Sequence, residues 1–163
     1  MFALSHTTGH AVLALSCISF NDGRRLFAKD IARCTGVPPA YLSKILNSLS
    51  EHGLLDAKRG YRGGFALTRP STEIRLLDIV EAVEGEKWNS HCLLGMDECA
   101  DERSCPTHAF WKVERRRIEE ELSGISLAEV SEFEHRGGTI GTCVAISSTR
   151  PGGLPERRKP ANR

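Results

Sequence analysis

The sequence predicts a mainly α chain with a small β wing: a winged helix-turn-helix followed by a long dimerisation helix. Three observations carry that expectation. Apolar residues recur at i, i+3, i+4 and i+7 in two segments separated by a hairpin-sized stretch. That stretch, Lys58-Arg59-Gly60-Tyr61-Arg62-Gly63-Gly64, is crowded with glycine and cations. Further on, past a cysteine-bearing loop, Trp111, Ile118 and Ile125 recur every seven residues.

The elements follow in order. From Thr8, the residues Ala11, Leu15 and Ile18 lie at helical spacing, so a first helix ends near Phe20 and is stopped by Asn21-Asp22-Gly23. A short second helix turns Phe27, Ile31 and Ala32 inward. It closes at Thr35-Gly36, because glycine adopts the positive φ of a helix end without steric cost. Pro38-Pro39 opens the third helix, where the first turn has no use for the missing N–H. Its inner stripe is Leu42, Ile45, Leu46 and Leu49, which leaves Tyr41, Ser43, Lys44, Asn47 and Ser48 toward solvent, and His52-Gly53 ends it. Leu54–Ala57 and Phe65–Thr68 are short strand candidates on either side of the basic hairpin. A fourth helix, with Leu76, Ile79, Val80 and Val83 inward, packs back on the domain and ends near Gly85.

A length of 163 residues suits one domain with an appendage, and 40% hydrophobic with 26% charged residues is ordinary for a globular protein. No stretch approaches the roughly 18–20 apolar residues of a membrane span. The run from Ala11 to Phe20 is short, contains Ser16 and Ser19, and lacks the basic start of a secretory signal. The chain is therefore expected in the cytoplasm with no membrane partner, where thiols stay reduced. Its six cysteines then point to metal or redox chemistry rather than disulfides. Cys17 and Cys34 read as small core residues and Cys143 as a tail residue without a partner.

The net charge of +1 is unevenly spread. Residues 1–80 carry ten Lys/Arg against six Asp/Glu, whereas residues 81–108 carry two against seven. A basic front and an acidic loop fit a nucleic-acid partner for the front alone. The outward set of the third helix is short, polar and able to hydrogen-bond, which suits base edges but also describes an ordinary solvated face. The hairpin beside it weighs for DNA: its glycines allow close approach to phosphate, and Arg59 and Arg62 suit a phosphate or a minor groove. The expected partner is a double-stranded operator. The chain has neither a C-x-x-C redox pair nor a catalytic set, so no enzyme activity or small-molecule substrate is expected.

Cys92, Cys99 and Cys105 have six and five residues between successive cysteines, and His108 follows three positions after the last. Three thiolates and an imidazole suit zinc, Cu(I) or an iron–sulfur cluster. Cys₃His is an accepted zinc set, but the close cysteine pair usual in zinc sites is absent, and widely spaced cysteines wrap a larger polynuclear cluster more readily. Three readings therefore stand: an iron–sulfur cluster, structural zinc, and a thiol switch. Asp97, Glu98, Asp101 and Glu102 read as solvating the loop, with His10 and His91 as auxiliary ligands if a cluster sits at a subunit boundary.

Pro106-Thr107 begins a further helix in which Trp111, Ile118, Leu122 and Ile125 form an apolar seam, with Arg115, Arg116, Arg117, Glu119, Glu120 and Glu121 on its other faces. Such a helix pairs with its twin to give a homodimer on a near-palindromic site, or else folds back on its own domain. The expected organisation is a DNA-binding domain over 1–84, a cluster-binding loop over 85–107, a dimerisation region over 108–135 and a flexible basic tail over 136–163. Within the tail, Ile140–Ile146 could add a transient strand.

Residues 4 to about 122 resemble the Rrf-two (Rrf2) family of iron–sulfur and redox regulators. The likeness rests on Tyr41-Leu42 with Leu46 and Leu49, on Arg59-Gly60 with Gly63-Gly64, and on the three loop cysteines. It implies a homodimeric winged-helix DNA binder, mostly a repressor, whose loop cysteines hold a 2Fe-2S or 4Fe-4S cluster. His108 matches the histidine ligand of some members, which implies 2Fe-2S. The first cysteine interval is one residue longer than in those members, Gly9 stands where others carry an acidic ligand, and Ser43 replaces an acidic recognition residue.

Overall fold

The computed structural model describes residues 4–21, 24–95, 99, 101 and 105–136. Several expectations lie outside the described residues: the Asp22-Gly23 helix stop, the solvating roles of Asp97, Glu98 and Glu102, the partnerless Cys143, and the tail with its Ile140–Ile146 strand.

Helix α1 (His6–Ser19) opens with Ser5, whose side chain accepts from the Thr8 amide. It is buried almost all round, because α2 (Ala28–Thr35), α3 (Pro39–Glu51), α4 (Leu76–Glu84) and α6 (Leu127–His135) all pack against it. Gly36 closes α2 with φ of 71°, as the sequence leads one to expect. Pro39 occupies the first turn of α3, and Leu42, Ile45, Leu46 and Leu49 are its buried residues. Phe27 departs from expectation: it is the N-cap of α2, 41% exposed, with the Lys29 ammonium over its ring. Lying before the helix, it escapes the helical spacing that would have turned it inward.

Strands β1 (Leu55–Lys58) and β2 (Gly64–Leu67) pair antiparallel with Leu55 opposite Leu67 and Lys58 opposite Gly64, β1 starting one position after its expected span and β2 one position before. Leu26, ahead of α2, adds a bridge to Phe65 through hydrogen bonds of 2.9 and 2.8 Å, so β2 is paired on both of its edges. Arg25 reinforces it, donating to the Asp56 and Gly64 carbonyls and to the Asp56 carboxylate. Two helices joined by a glycine turn and followed by a β hairpin and α4 make a winged helix-turn-helix.

Two corrections concern the rest. Cys17 and Cys34 are buried as expected, but they are not separate thiols: they form a disulfide between α1 and α2, with Cα atoms 6.6 Å apart. Packing of these two helices brings cysteines 17 positions apart within bonding range, which periodicity alone does not show. The seam from Trp111 to Ile125 is also not one helix. Helix α5 (His108–Gly124) stops before Ile125, and Ser126 caps α6 in a capping box with Glu129. Leu127 is fully buried in the main core, and the junction is stitched to the segment before α4 by Leu127 N to Ile74 O at 2.8 Å and Leu76 N to Ile125 O at 3.0 Å. Helix α6 therefore folds back on α1, while α5 lies against α4 and keeps Phe110, Val113 and Ile118 exposed.

The face of α6 turned inward is partly polar. Glu134 is 8% exposed, and neither carboxylate oxygen has a hydrogen-bond partner among the described residues. Burial pushes its carboxyl above the ordinary value of 4.5. A raised folded-state pKa favours the protonated form, so this contribution to stability is complete at pH below about 4.5 and is lost as pH rises through the raised value. Glu134→Gln is expected to flatten that decline. The thermal midpoint measured across the range checks it, and equal slopes in both proteins would contradict it.

Candidate nucleic-acid interface and cysteine loop

Among the expected DNA-facing residues, Ser43, Lys44 and Asn47 are exposed on α3, and Arg59 and Arg62 are exposed on the hairpin. Tyr41 and Ser48 are not on that free face. Tyr41 is half-buried with its hydroxyl 2.6 Å from Thr7 Oγ1 and its ring edge-on to His10, and Ser48 Oγ donates to the Ala82 carbonyl at 2.6 Å. Both lie at the flanks of the helix, where α1 and α4 reach round. Ser43 Oγ donates to Pro39 O at 2.8 Å, which leaves its lone pairs outward.

The basic character of the front half is concentrated by pairing. Arg25 is bonded to Asp56, Arg33 lies 3.7 Å from Asp30, and Arg69 lies 2.6 Å from Asp78. Lys44, Arg59 and Arg62 take part in none of the ion pairs among the described residues. Tyr61, at the hairpin tip, is 97% exposed and was not among the expected site residues. A large aromatic at the apex of a glycine turn was the signal for it. Gly63 N donates to Gly60 O at 2.9 Å to close that tip.

The loop between α4 and α5 begins from an anchored end. Glu84, the last residue of α4, accepts from the Ser5 amide at 3.0 Å and from the Thr8 hydroxyl. Burial pushes the Glu84 carboxyl up, but the hydrogen bonds from Ser5 and Thr8 outweigh it and hold the group below its ordinary value. At the other end, Trp111 Nε1 donates to the His91 carbonyl at 2.8 Å and Asn89 Nδ2 to the Arg115 carbonyl at 2.9 Å. Trp111 is thus pinned to the loop.

Cys92, Cys99 and Cys105 are free and partly buried. The structure brings two of the four expected donors together: Cys99 Sγ lies 3.2 Å from His108 Nδ1. Cys92 Sγ instead accepts from the Leu94 amide at 3.4 Å, and Cys105 Sγ lies 3.2 Å from Thr107 Oγ1. The Thr107 hydroxyl holds the Cys105 thiol below its ordinary value. Among the described residues no three His, Cys, Asp or Glu side chains converge as they would around a metal ion. The donor set, three free thiols and a buried imidazole along one loop, nevertheless fits a soft metal centre chemically. His10 is on α1 against Tyr41, and His91 is exposed.

Asp101 does more than solvate. Its Oδ1 lies 2.8 Å from His108 Nε2, and both its oxygens lie 2.9 Å from Lys112 Nζ. These contacts, Lys112 first and then His108, hold the Asp101 carboxyl below its ordinary value.

The Rrf2 family model, described as an iron-dependent transcriptional regulator, matches residues 4–132. A putative HTH-type transcriptional regulator of Haemophilus influenzae is 34% identical over 122 residues, covering 74% of this chain and 81% of the relative. The HTH-type transcriptional regulator IscR of Sodalis glossinidius is 30% identical over 126 residues, covering 77% and 76%. Among solved structures, CymR, the global cysteine regulator of B. subtilis, aligns with a TM-score of 0.68 at 21% identity over 82% of this chain and 98% of its own. T. potens IscR aligns at 0.66 and 24% identity over 85% and 92%. At these identities the structural likenesses speak for the fold.

Proposed function

The chain belongs to the Rrf2 family of transcriptional regulators, which are DNA-binding proteins and not enzymes, and on that premise we propose that it is a dimeric repressor whose operator occupancy is set by an iron–sulfur cluster. Cys92, Cys99 and Cys105 would hold the cluster with His108. The observation that carries this reading is the pairing of the Cys99 sulfur with the His108 imidazole, beside two further free thiols, on a loop that starts from a Glu84 fixed to α1 and is tied to α5 through Trp111. When bound, a cluster supplies a redox-labile hub, with 2Fe-2S favoured and 4Fe-4S the alternative.

The chain itself offers a route from loop to recognition helix. Glu84 and Ala82 of α4 hold Thr8 of α1 and Ser48 of α3, so an ordered loop biases the helix that carries Ser43, Lys44 and Asn47. A coupling of about 1–3 kcal/mol suffices, since it changes affinity about 5- to 150-fold. No described helix is long and apolar enough to cross a membrane. A cytoplasmic setting is part of this proposal, as are the division at residues 84, 107 and 135 and the absence of a small-molecule substrate.

In this reading Ser43, Lys44 and Asn47 reach base edges, while Arg59, Arg62 and Tyr61 sit on the backbone or in the minor groove. Arg59→Ala is expected to weaken binding on all sequences and to reduce the salt slope by about one, whereas Ser43→Ala changes preference at particular bases. Operator titrations at several salt concentrations check both. The homodimer is proposed to form through α5, whose exposed Phe110, Val113 and Ile118 need cover. Ile118→Glu is expected to give monomers with poor operator affinity, and an intact dimer in sedimentation would contradict it.

Anaerobic purification with a visible spectrum and an iron and sulfide count tests the central claim. A colourless protein with one zinc per chain would establish the structural-zinc reading instead. A metal-free protein whose DNA binding responds to thiol oxidants would establish a thiol switch, which the Cys99–His108–Asp101 chain of contacts also suits.

A further inference from the structure

We infer that Asp101, tied down by Lys112, is a positioning residue for His108: it keeps the imidazole proton on Nε2 and thereby makes Nδ1 the nitrogen that serves the cysteine loop. The inference rests on the proposed function only for what Nδ1 binds, and the geometry of the contacts stands apart from it.

His108 is the first residue of α5 and is 8% exposed, and both ring nitrogens are engaged. Nε2 faces a carboxylate oxygen at 2.8 Å, and Nδ1 faces the Cys99 sulfur at 3.2 Å. An ionised carboxylate can only accept, so the Nε2 contact requires a proton on Nε2. The two nitrogens of a neutral imidazole share one proton, so Nδ1 presents its lone pair to the sulfur side. A metal takes the unprotonated nitrogen, and a carboxylate behind the other nitrogen fixes tautomer and ring orientation. Lys112 explains why the carboxylate stays in place. It follows His108 by four residues, so both side chains lie on one face of α5 and meet Asp101 together. Asp101 is 67% exposed at its side chain, which a residue serving only to solvate the loop would share, but neither its distance to Nε2 nor its bidentate tie to Lys112 follows from solvation.

Nitrogen-15 NMR of the metal-free protein tests the positioning by itself. The wild type is expected to show His108 as the Nε2–H tautomer, and Asp101→Ala is expected to lose that preference with helix content unchanged. Asp101→Asn keeps an oxygen that can accept from both His108 Nε2 and the Lys112 ammonium, so it should retain the tautomer. Behaviour of Asp101→Asn like Asp101→Ala would mean that an acceptor oxygen at this position does not set the tautomer, and would overturn the inference. An Nδ1–H tautomer in the wild type would overturn it as well.

In protein reconstituted with iron and sulfide, pulsed EPR of the reduced cluster with histidine labelled at Nδ1 should show direct coupling that His108→Ala abolishes. Asp101→Ala should hold the cluster about 10- to 100-fold more weakly. Coupling from Nε2 instead, or wild-type retention in Asp101→Ala, would overturn the inference while leaving the cluster reading intact. A wild type that takes up no iron and sulfide would sink the cluster reading, and the tautomer measurement would still decide the role of Asp101.

Discussion

Alanine in place of any one of Cys92, Cys99 or Cys105 is expected to abolish the visible absorbance of anaerobically purified protein, with helix content and oligomeric state unchanged. All three thiols are free, and none belongs to the main core, so their removal leaves the winged domain intact. A methyl group cannot ligate iron. The nearest replacements on the loop are carboxylates and hydroxyls, hard donors poorly matched to a soft centre. His108→Cys is expected to behave differently: it keeps a four-donor set, retains the colour and lowers the reduction potential, because imidazole ligation raises the potential relative to thiolate. Persistence of ligand-to-metal absorbance in one cysteine variant would remove that cysteine from the ligand set. Serine at Cys17 provides the contrast, since that sulfur is bonded to Cys34 and contributes nothing to the colour.

The second large effect is expected at the wing. Gly64 has φ of +120°, and a Cβ built there would lie 2.6 Å from the Leu26 carbonyl oxygen and 2.8 Å from its carbon. Those are backbone atoms that cannot swing aside. Gly64→Ala must therefore break the Leu26–Phe65 pairing as well as strain its own backbone. The strain costs about 1–3 kcal/mol and each of the two lost hydrogen bonds about 0.5–1.5 kcal/mol, so a loss of roughly 2–6 kcal/mol is expected together with failure to bind the operator. Gly9→Ala is the control. Its added methyl meets nothing within 4 Å on the regular helix α1, so a gain of about 0.5–1 kcal/mol is expected. Urea midpoints for the two variants check the pair, and a Gly64→Ala protein as stable as wild type would mean that the bridge to Leu26 does not hold the wing.

Much of this chain is legible from local pattern. The stripe of Leu42, Ile45, Leu46 and Leu49 has one way to be buried, and it places Ser43, Lys44 and Asn47 outward by geometry of the helix alone. Gly36 and Pro39 mark helix ends by their own backbone chemistry. The glycine-rich hairpin and the cysteine spacing are likewise local patterns, and with them the family is within reach.

Other features depend on partners remote in sequence. Tyr41 and Ser48 sit at the borders of the outward face, and only the packing of α1 and α4 against α3 decides that their hydroxyls are taken up by Thr7 and Ala82. The end of α5 is written in the Ser126–Glu129 capping box, but a seven-residue repeat of apolar residues runs across it and suggests one helix. Which reading prevails is set by full burial of Leu127 in the core, worth about 1.5–3 kcal/mol. Pairing of Cys17 with Cys34, the Leu26 bridge to Phe65, and the contact of Asp101 with both His108 and Lys112 belong to the same class. The sequence by itself determined which segments are helical, which faces are apolar and which donors the loop offers, because those follow from periodicity and residue chemistry along the chain. Tertiary structure alone decided which of those groups meet, because a contact between distant residues depends on how the helices pack, and local pattern carries no record of that.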